Sequence, residues 1–144
     1  LDLRLPASSL AGFFWARAPV HSAILRDLSM ATALADQQCR PCEGGVEPLE
    51  ADVVEQYLAG LDPAWLLSDD GKSIVRCFKF PAYSRTLGFA NAVGWIAIRE
   101  GHHPELVVTY DSCEVRWTTF AISGLSQNDF ICAAKTDRLL GPGT

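Results

Sequence analysis

Two adjacent histidines, His102 and His103, are followed directly by Pro104 in this chain of 144 residues. Imidazoles exchange protons near neutral pH, so the pair is a candidate for general acid–base chemistry. The apolar stripe before the pair ends at Gly101, which predicts that both side chains leave the carbonyl end of a helix. A histidine at that place can instead bond free carbonyls and suit the helix dipole. Because adjacent side chains point in different directions, one imidazole can face a pocket while the other caps the helix.

A second candidate is the pair Cys39 and Cys42, whose spacing is that of half a zinc site or of a redox motif. A structural zinc site needs a second pair of ligands, and no strand-to-helix context surrounds these cysteines. We therefore expect residues 30–47 to form a flexible segment whose two thiols are exposed or capping, and we expect no metal. The odd total of five cysteines indicates reduced thiols in a cytosol-like compartment.

The helices that must position these residues follow from the apolar pattern. A helical stripe runs from Leu49 to Leu61, and a longer one runs from Tyr83 to Ile98. Ser126 and Asp129 have the spacing of a capping box, which predicts a third helix from about Gln127 to Leu140.

Two predicted hairpins lie between the three helices. Segments 65–67 and 73–80 flank an Asp-Gly turn, and segments 106–110 and 114–119 are rich in Val, Thr and aromatic residues. The order helix, hairpin, helix, hairpin, helix predicts an α+β domain over 48–141. Its economical arrangement is a four-stranded antiparallel sheet with three helices on one face.

Composition and charge restrict the partners of the domain. The 12 basic residues against 17 acidic ones give a net charge of −5, which leaves no basic surface for a phosphate backbone and argues against direct binding of nucleic acid. No run reaches the roughly 20 uncharged apolar residues of a membrane span, so we expect a cytoplasmic protein. Residues 1–29 precede Met30, the first methionine, and show no sustained period. We expect them to be a leader outside the domain, from upstream translation or cloning.

The wider pattern around the histidine pair is similar to the signature of the pterin-4a-carbinolamine dehydratases. The pattern comprises Gly-His-His-Pro-Glu at 101–105, Trp-Thr-Thr-Phe at 117–120 and Gly-Leu-Ser-Gln-Asn-Asp-Phe at 124–130. Residues 128–137 also resemble the last helix of bacterial members. The resemblance extends over about 48–140 and takes in every predicted helix and hairpin.

Members of that family dehydrate a 4a-hydroxytetrahydropterin such as 4a-hydroxytetrahydrobiopterin, without metal or other cofactor. The leaving 4a-hydroxyl must be protonated and the N5 proton must be removed, tasks that imidazoles can perform. The resemblance implies catalytic and pterin-binding roles for His102 and His103 and a place in the pocket wall for Pro104. It also implies a third histidine after the fourth strand, where this chain has Phe120. A phenyl ring can neither give nor accept a proton.

A second departure from the family pattern concerns carboxylates. Ile98 stands four positions before the histidine pair, where many members carry an acidic residue. Gly101 likewise replaces an acid that is sometimes found just before the pair. We therefore expect both imidazoles to lack an orienting carboxylate.

These departures leave two hypotheses for function. One is an active dehydratase, a lyase, in which water or another side chain replaces the missing histidine. The other is a noncatalytic relative that binds protein, because Phe120 resembles a degenerate subgroup of assembly factors, or chaperones, for ribulose bisphosphate carboxylase (RuBisCO) in bacteria with α-carboxysomes. We favour the second hypothesis, which implies a bacterial cytosolic protein associated with carboxysomes. The resemblance also implies a homodimer or a dimer of dimers, since pairing would cover the open sheet edges.

Overall fold

A computed structural model describes Met30 and residues 33–41 and 47–141 of the chain. The leader predicted at 1–29 and the thiol of Cys42 lie outside these residues. We number the helices and strands in chain order within the described part.

Residues 47–141 contain three α-helices: α1 (Ala51–Ala59), α2 (Tyr83–Glu100) and α3 (Gln127–Asp137). Helix α2 ends because Gly101 takes a left-handed backbone with φ 64°, which glycine adopts without strain. Helix α3 begins at the predicted capping box and ends three residues before the predicted Leu140. Of the helices described here, none is long and apolar enough to cross a membrane.

Four antiparallel strands form one sheet in the order β1-β2-β4-β3: β1 (Leu66–Leu67), β2 (Ile74–Lys79), β3 (Glu105–Val108) and β4 (Ser112–Trp117). The central strands β2 and β4 pair along their whole length, and the shorter β1 and β3 form the edges. The predicted α+β class, the antiparallel sheet and the order of elements are confirmed.

One face of the sheet carries the core. The inward apolar positions of β2 and β4 alternate along the strands and are buried, with Phe78, Val115 and Trp117 among them. Helices α2 and α3 pack on this face, and α1 adds Tyr57, whose ring stacks on Phe130 at 5.1 Å between centroids. The opposite face is open to solvent, as the exposed Cys77 shows. The helices therefore cover one face, as the sequence predicted.

Residues 33–41 lie against α3. Leu34 is buried in the core. The Asn128 side chain accepts a hydrogen bond from the Arg40 N–H at 3.1 Å and donates one to the Arg40 carbonyl at 2.7 Å. The sequence predicted a flexible segment over 30–47, and the structure gives part of it a defined place on the domain.

Candidate active site

The carboxylate of Asp129 joins three elements where the predicted site residues meet. Its Oδ1 lies 2.6 Å from Nε2 of His102, at the exit of α2. Its Oδ2 accepts hydrogen bonds from the Thr119 hydroxyl at 2.7 Å and from the Ser126 N–H at 2.8 Å. One side chain thus connects the end of α2, the chain beyond β4 and the start of α3.

The buried ring of His102 is fixed on two sides. Only 6% of the residue is exposed, and its ring stacks on the indole of Trp117 with centroids 5.6 Å apart and planes inclined by 11°. Asp129 is 0% exposed, and its side chain also accepts the capping-box hydrogen bond from the backbone N–H of the N-cap residue.

The expectation that both imidazoles lack an orienting carboxylate is wrong for His102. Asp129 supplies that carboxylate from α3, although Ile98 and Gly101 carry none. The capping-box spacing identified Asp129 as a helix cap, but it could not show that the free oxygen would face an imidazole 27 residues away in sequence.

The two histidines follow the turn at Gly101 and differ in burial. His102 turns into the core, whereas His103 is exposed and Pro104 is half-buried. This is the arrangement that the sequence left open, with one imidazole enclosed and the other accessible. The pterin-binding roles of His102, His103 and Pro104 remain predictions.

Phe120 is exposed over 66% of its surface and begins a short 3-10 helix, Phe120–Ile122. It follows Thr119, just as His103 follows His102. Thr119 and His102 each contact one oxygen of the buried Asp129 carboxylate. Phe120 and His103, the exposed residues that follow them in sequence, are therefore both one residue away from a partner of Asp129. The position where the resemblance implies a third histidine is therefore accessible, and it carries an apolar ring.

Glu100 and Ile98 lie near the end of α2, and neither contacts the histidine pair through a carboxylate. Glu100 is half-buried and accepts hydrogen bonds from Lys135 Nζ at 2.5 Å and from the Cys39 N–H at 2.9 Å. Burial raises the pKa of Glu100, but these bonds outweigh it and hold the pKa below its usual value. Glu100 is thus engaged away from the imidazoles. On the same helix, Ile98 is 69% exposed.

A cleft of about 870 Å³ lies apart from these residues, between β2 and the first half of α2. Arg76 lines it and forms ion pairs with Asp62 at 3.1 Å and Asp137 at 2.8 Å. Burial raises the pKa of Asp137 despite this pairing. None of the predicted site residues lines the cleft, so the motif residues and this cavity are separate features.

Within the described residues no group of three or more His, Cys, Asp or Glu side chains is placed to hold a metal ion. Cys39 is a free thiol there, as are Cys77, Cys113 and Cys132.

Known proteins are similar to this chain over nearly the whole domain. The family model described as Pterin 4 alpha carbinolamine dehydratase matches residues 47–139. A protein of Nitrosomonas eutropha named "Putative pterin-4-alpha-carbinolamine dehydratase" is 51% identical over 107 residues, covering 74% of this chain and 93% of that protein. A protein of the same name from Legionella pneumophila strain Corby is 41% identical over 111 residues, covering 77% of this chain and 98% of the relative.

A solved structure shows the same fold. The crystal structure of a transcriptional coactivator/pterin dehydratase from Brucella melitensis superposes with a TM-score of 0.62 at 28% identity, covering 66% of this chain and 100% of the other. Together with the match over 47–139, this places the chain in the pterin-4a-carbinolamine dehydratase family.

Proposed function

We propose that this chain is a noncatalytic member of the family, that its scaffold binds another protein, and that this protein is RuBisCO. The observation that carries the noncatalytic part is the exposed phenyl ring of Phe120. It occupies the position at which the resemblance implies a proton-transfer group. Loss of one general acid or base costs a factor of about 10²–10⁴ in rate.

The state of His102 supports the same conclusion. Its imidazole is buried between Trp117 and Asp129, so moving a proton through Nε2 would disturb the hydrogen bond that holds α3. His103 is then the exposed imidazole of the pair. The reaction needs one group to protonate the leaving hydroxyl and one to remove the N5 proton. A single accessible imidazole is a poor catalyst for both transfers.

Exposed apolar side chains support protein binding. Trp95 and Ile98 are exposed in the last turns of α2, and Phe120 is exposed beside the residue that bonds Asp129. Large apolar groups on a surface are typical of contact sites for other proteins. The net charge of −5 favours a partner with basic patches. The choice of RuBisCO rests on the resemblance of the Phe120 departure to the assembly-factor subgroup.

Coexpression tests the partner. The chain is produced together with the large and small RuBisCO subunits of its own organism, and assembled enzyme is measured by native gel and carboxylation rate. We expect the wild-type chain to increase the yield and the double variant Ile98→Ser, Phe120→Ser to lose the increase. The matched control is Leu66→Ser, an exposed leucine in β1. An unchanged yield, with no carboxylase subunit recovered by pull-down at low salt, would exclude RuBisCO.

The second candidate is an active 4a-hydroxytetrahydropterin dehydratase with a modified site. The exposed His103 favours it, as do the names of the relatives. A direct assay separates the candidates: purified protein should not accelerate dehydration of the 4a-hydroxytetrahydropterin above the uncatalysed rate. Turnover that His103→Ala abolishes would overturn the noncatalytic proposal, whatever the coexpression result.

A further inference from the structure

Two thiols outside the histidine site face each other across a long separation in sequence. Sγ of Cys39 lies 3.5 Å from Sγ of Cys132, and 93 positions separate the two residues. Cys39 is half-buried in segment 33–41, and Cys132 is fully buried in the middle of α3. The proposed function uses neither thiol.

Backbone contacts fix the position of Cys39. Its own N–H donates to Glu100, and the next residue, Arg40, exchanges two hydrogen bonds with the side chain of Asn128. Asn128 precedes Cys132 by four positions, so both lie on one face of α3. These backbone hydrogen bonds hold Cys39 next to α3 and so bring its sulfur close to that of Cys132.

We propose that Cys39 and Cys132 are a redox pair whose oxidation forms a disulfide that fastens segment 33–41 to α3. The oxidant is a low-molecular-weight disulfide of the glutathione class, which accepts two electrons. Cys39 attacks one of its sulfurs, forms a mixed disulfide and releases one thiol. Cys132 then displaces the second thiol from Cys39, and its proton passes to the departing thiolate. In sum, two S–H bonds and the S–S bond of the oxidant become one protein disulfide and two small thiols.

The surroundings of the two thiols set the order of these steps. Cys39 is the partly exposed thiol, so the small disulfide meets it first. The hydrogen bond with Cys39 and then burial raise the pKa of Cys132 far above its ordinary value. Cys132 is fully buried, so it reacts second, after the mixed disulfide on Cys39 has formed.

The bond would act on the end of the domain that holds the histidine site. Asn128, which grips segment 33–41, is the neighbour of Asp129, which holds His102. A disulfide that closes a loop of 93 positions restricts the unfolded chain strongly. Oxidation would thus stabilise the start of α3 together with the attached segment.

Peptide mapping tests the pairing in the whole chain. In a Cys42→Ser variant, cleavage before aspartates leaves Cys39 as the single cysteine of peptide 36–51 and Cys132 as the single cysteine of peptide 129–136. The folded variant is incubated with glutathione disulfide, free thiols are blocked with N-ethylmaleimide, and the digest is analysed by mass spectrometry. We expect the two peptides to be joined. Glutathione retained on Cys39 at the end of a long incubation, or a bond from either cysteine to Cys77 or Cys113, would overturn the pairing.

The unchanged sequence and thermal unfolding provide the second test. In the wild-type chain we expect the same 39–132 linkage, and a dominant bond between Cys39 and Cys42 would overturn the proposal. Oxidised Cys42→Ser protein should unfold about 5 °C or more above its reduced form. Adding Cys132→Ala should abolish this difference, whereas adding Cys77→Ser should preserve it. Equal thermal unfolding midpoints for the oxidised and reduced forms would show that the disulfide does not stabilise the attachment of segment 33–41 to α3.

Discussion

The imidazole of His102 and the carboxylate of Asp129 lie 2.6 Å apart in the core, and this contact connects the end of α2 to the start of α3. Three elements depend on the same carboxylate, because Thr119 and Ser126 bond its second oxygen. The contact therefore stabilises the folded domain, whether or not it also takes part in chemistry at the surface.

Replacing Asp129 should be costly. Asp129→Ala leaves His102, Thr119 and the Ser126 N–H without their acceptor in a buried place, and we expect the free energy of unfolding to fall by about 3–4 kcal/mol. Urea denaturation measures the change. The matched control is Asp69→Ala in the exposed turn after β1, which should stay within about 0.5 kcal/mol of wild type. Equal effects of the two variants would contradict the role of Asp129.

Phe120→His should restore part of the dehydratase chemistry. It returns a proton-transfer group to an exposed position, but His102 stays bonded to Asp129, so we expect a rate about 10- to 100-fold above wild type, at or below the low end of what a general acid or base supplies. The measurement is the dehydration rate of a 4a-hydroxytetrahydropterin. Phe120→Gln, which is polar but does not titrate, should remain at the wild-type rate. A gain shared by both variants would point to relief of apolar bulk instead of proton transfer.

Leu34 should count as a core residue. It is buried in segment 33–41, and Leu34→Ala should lower the free energy of unfolding by about 2–4 kcal/mol through lost burial and a cavity. Gln38→Ala, at an exposed position of the same segment, is the control. If Leu34→Ala cost no more than Gln38→Ala in urea denaturation, the segment would not contribute to the fold.

Acid should weaken the contact at Glu100. Burial raises the pKa of Glu100, but the bonds from Lys135 and the Cys39 N–H outweigh it, so the folded pKa lies below the ordinary value of 4.5. The ionised group therefore stabilises the fold above that value and loses its contribution as the pH falls through the folded pKa. Wild type should exceed Glu100→Gln in stability at about pH 7, and the gap should narrow as the pH falls below 4.5. A gap independent of pH in urea titrations would contradict this assignment.

Pairing through an edge strand remains a prediction, and β3 offers one such edge. Light scattering at micromolar concentration should give a dimer or a dimer of dimers, because unpaired edges invite association. Val107→Lys places a charge at an exposed position of β3 and should shift the protein towards monomer. Asp69→Lys, in a turn outside β3, should not. A wild-type chain that is monomeric throughout would contradict the predicted pairing.

Signals between neighbours in the sequence predicted the helix ends well. Gly101 ends α2 and the capping box of Ser126 and Asp129 starts α3, because both effects act within one turn of backbone. The strand ends were less well predicted. Tyr110 was assigned to a strand and instead lies beyond β3, where its ring stacks on Tyr83 at 6.3 Å. An exposed aromatic after a strand has the same local pattern as one within it.

Contacts between distant positions could not be predicted in the same way. Nothing near Asp129 in the sequence shows that its Oδ1 meets His102, and nothing near Cys39 points to Cys132. The sequence around Glu100 likewise does not show that it bonds Lys135 and the Cys39 N–H. These pairs arise only when α2, α3 and segment 33–41 pack together, so the chemical surroundings of the site follow from tertiary structure.

The inward turn of His102 has a consequence for how activity is inferred within this fold. An imidazole that holds α3 in place serves the folded protein, whether or not any pterin is turned over. The presence of His102 in the His-His-Pro motif is therefore no measure of dehydratase activity by itself. A survey that sorts relatives into enzymes and former enzymes would do better to inspect the position of Phe120, where folding imposes no need for a histidine.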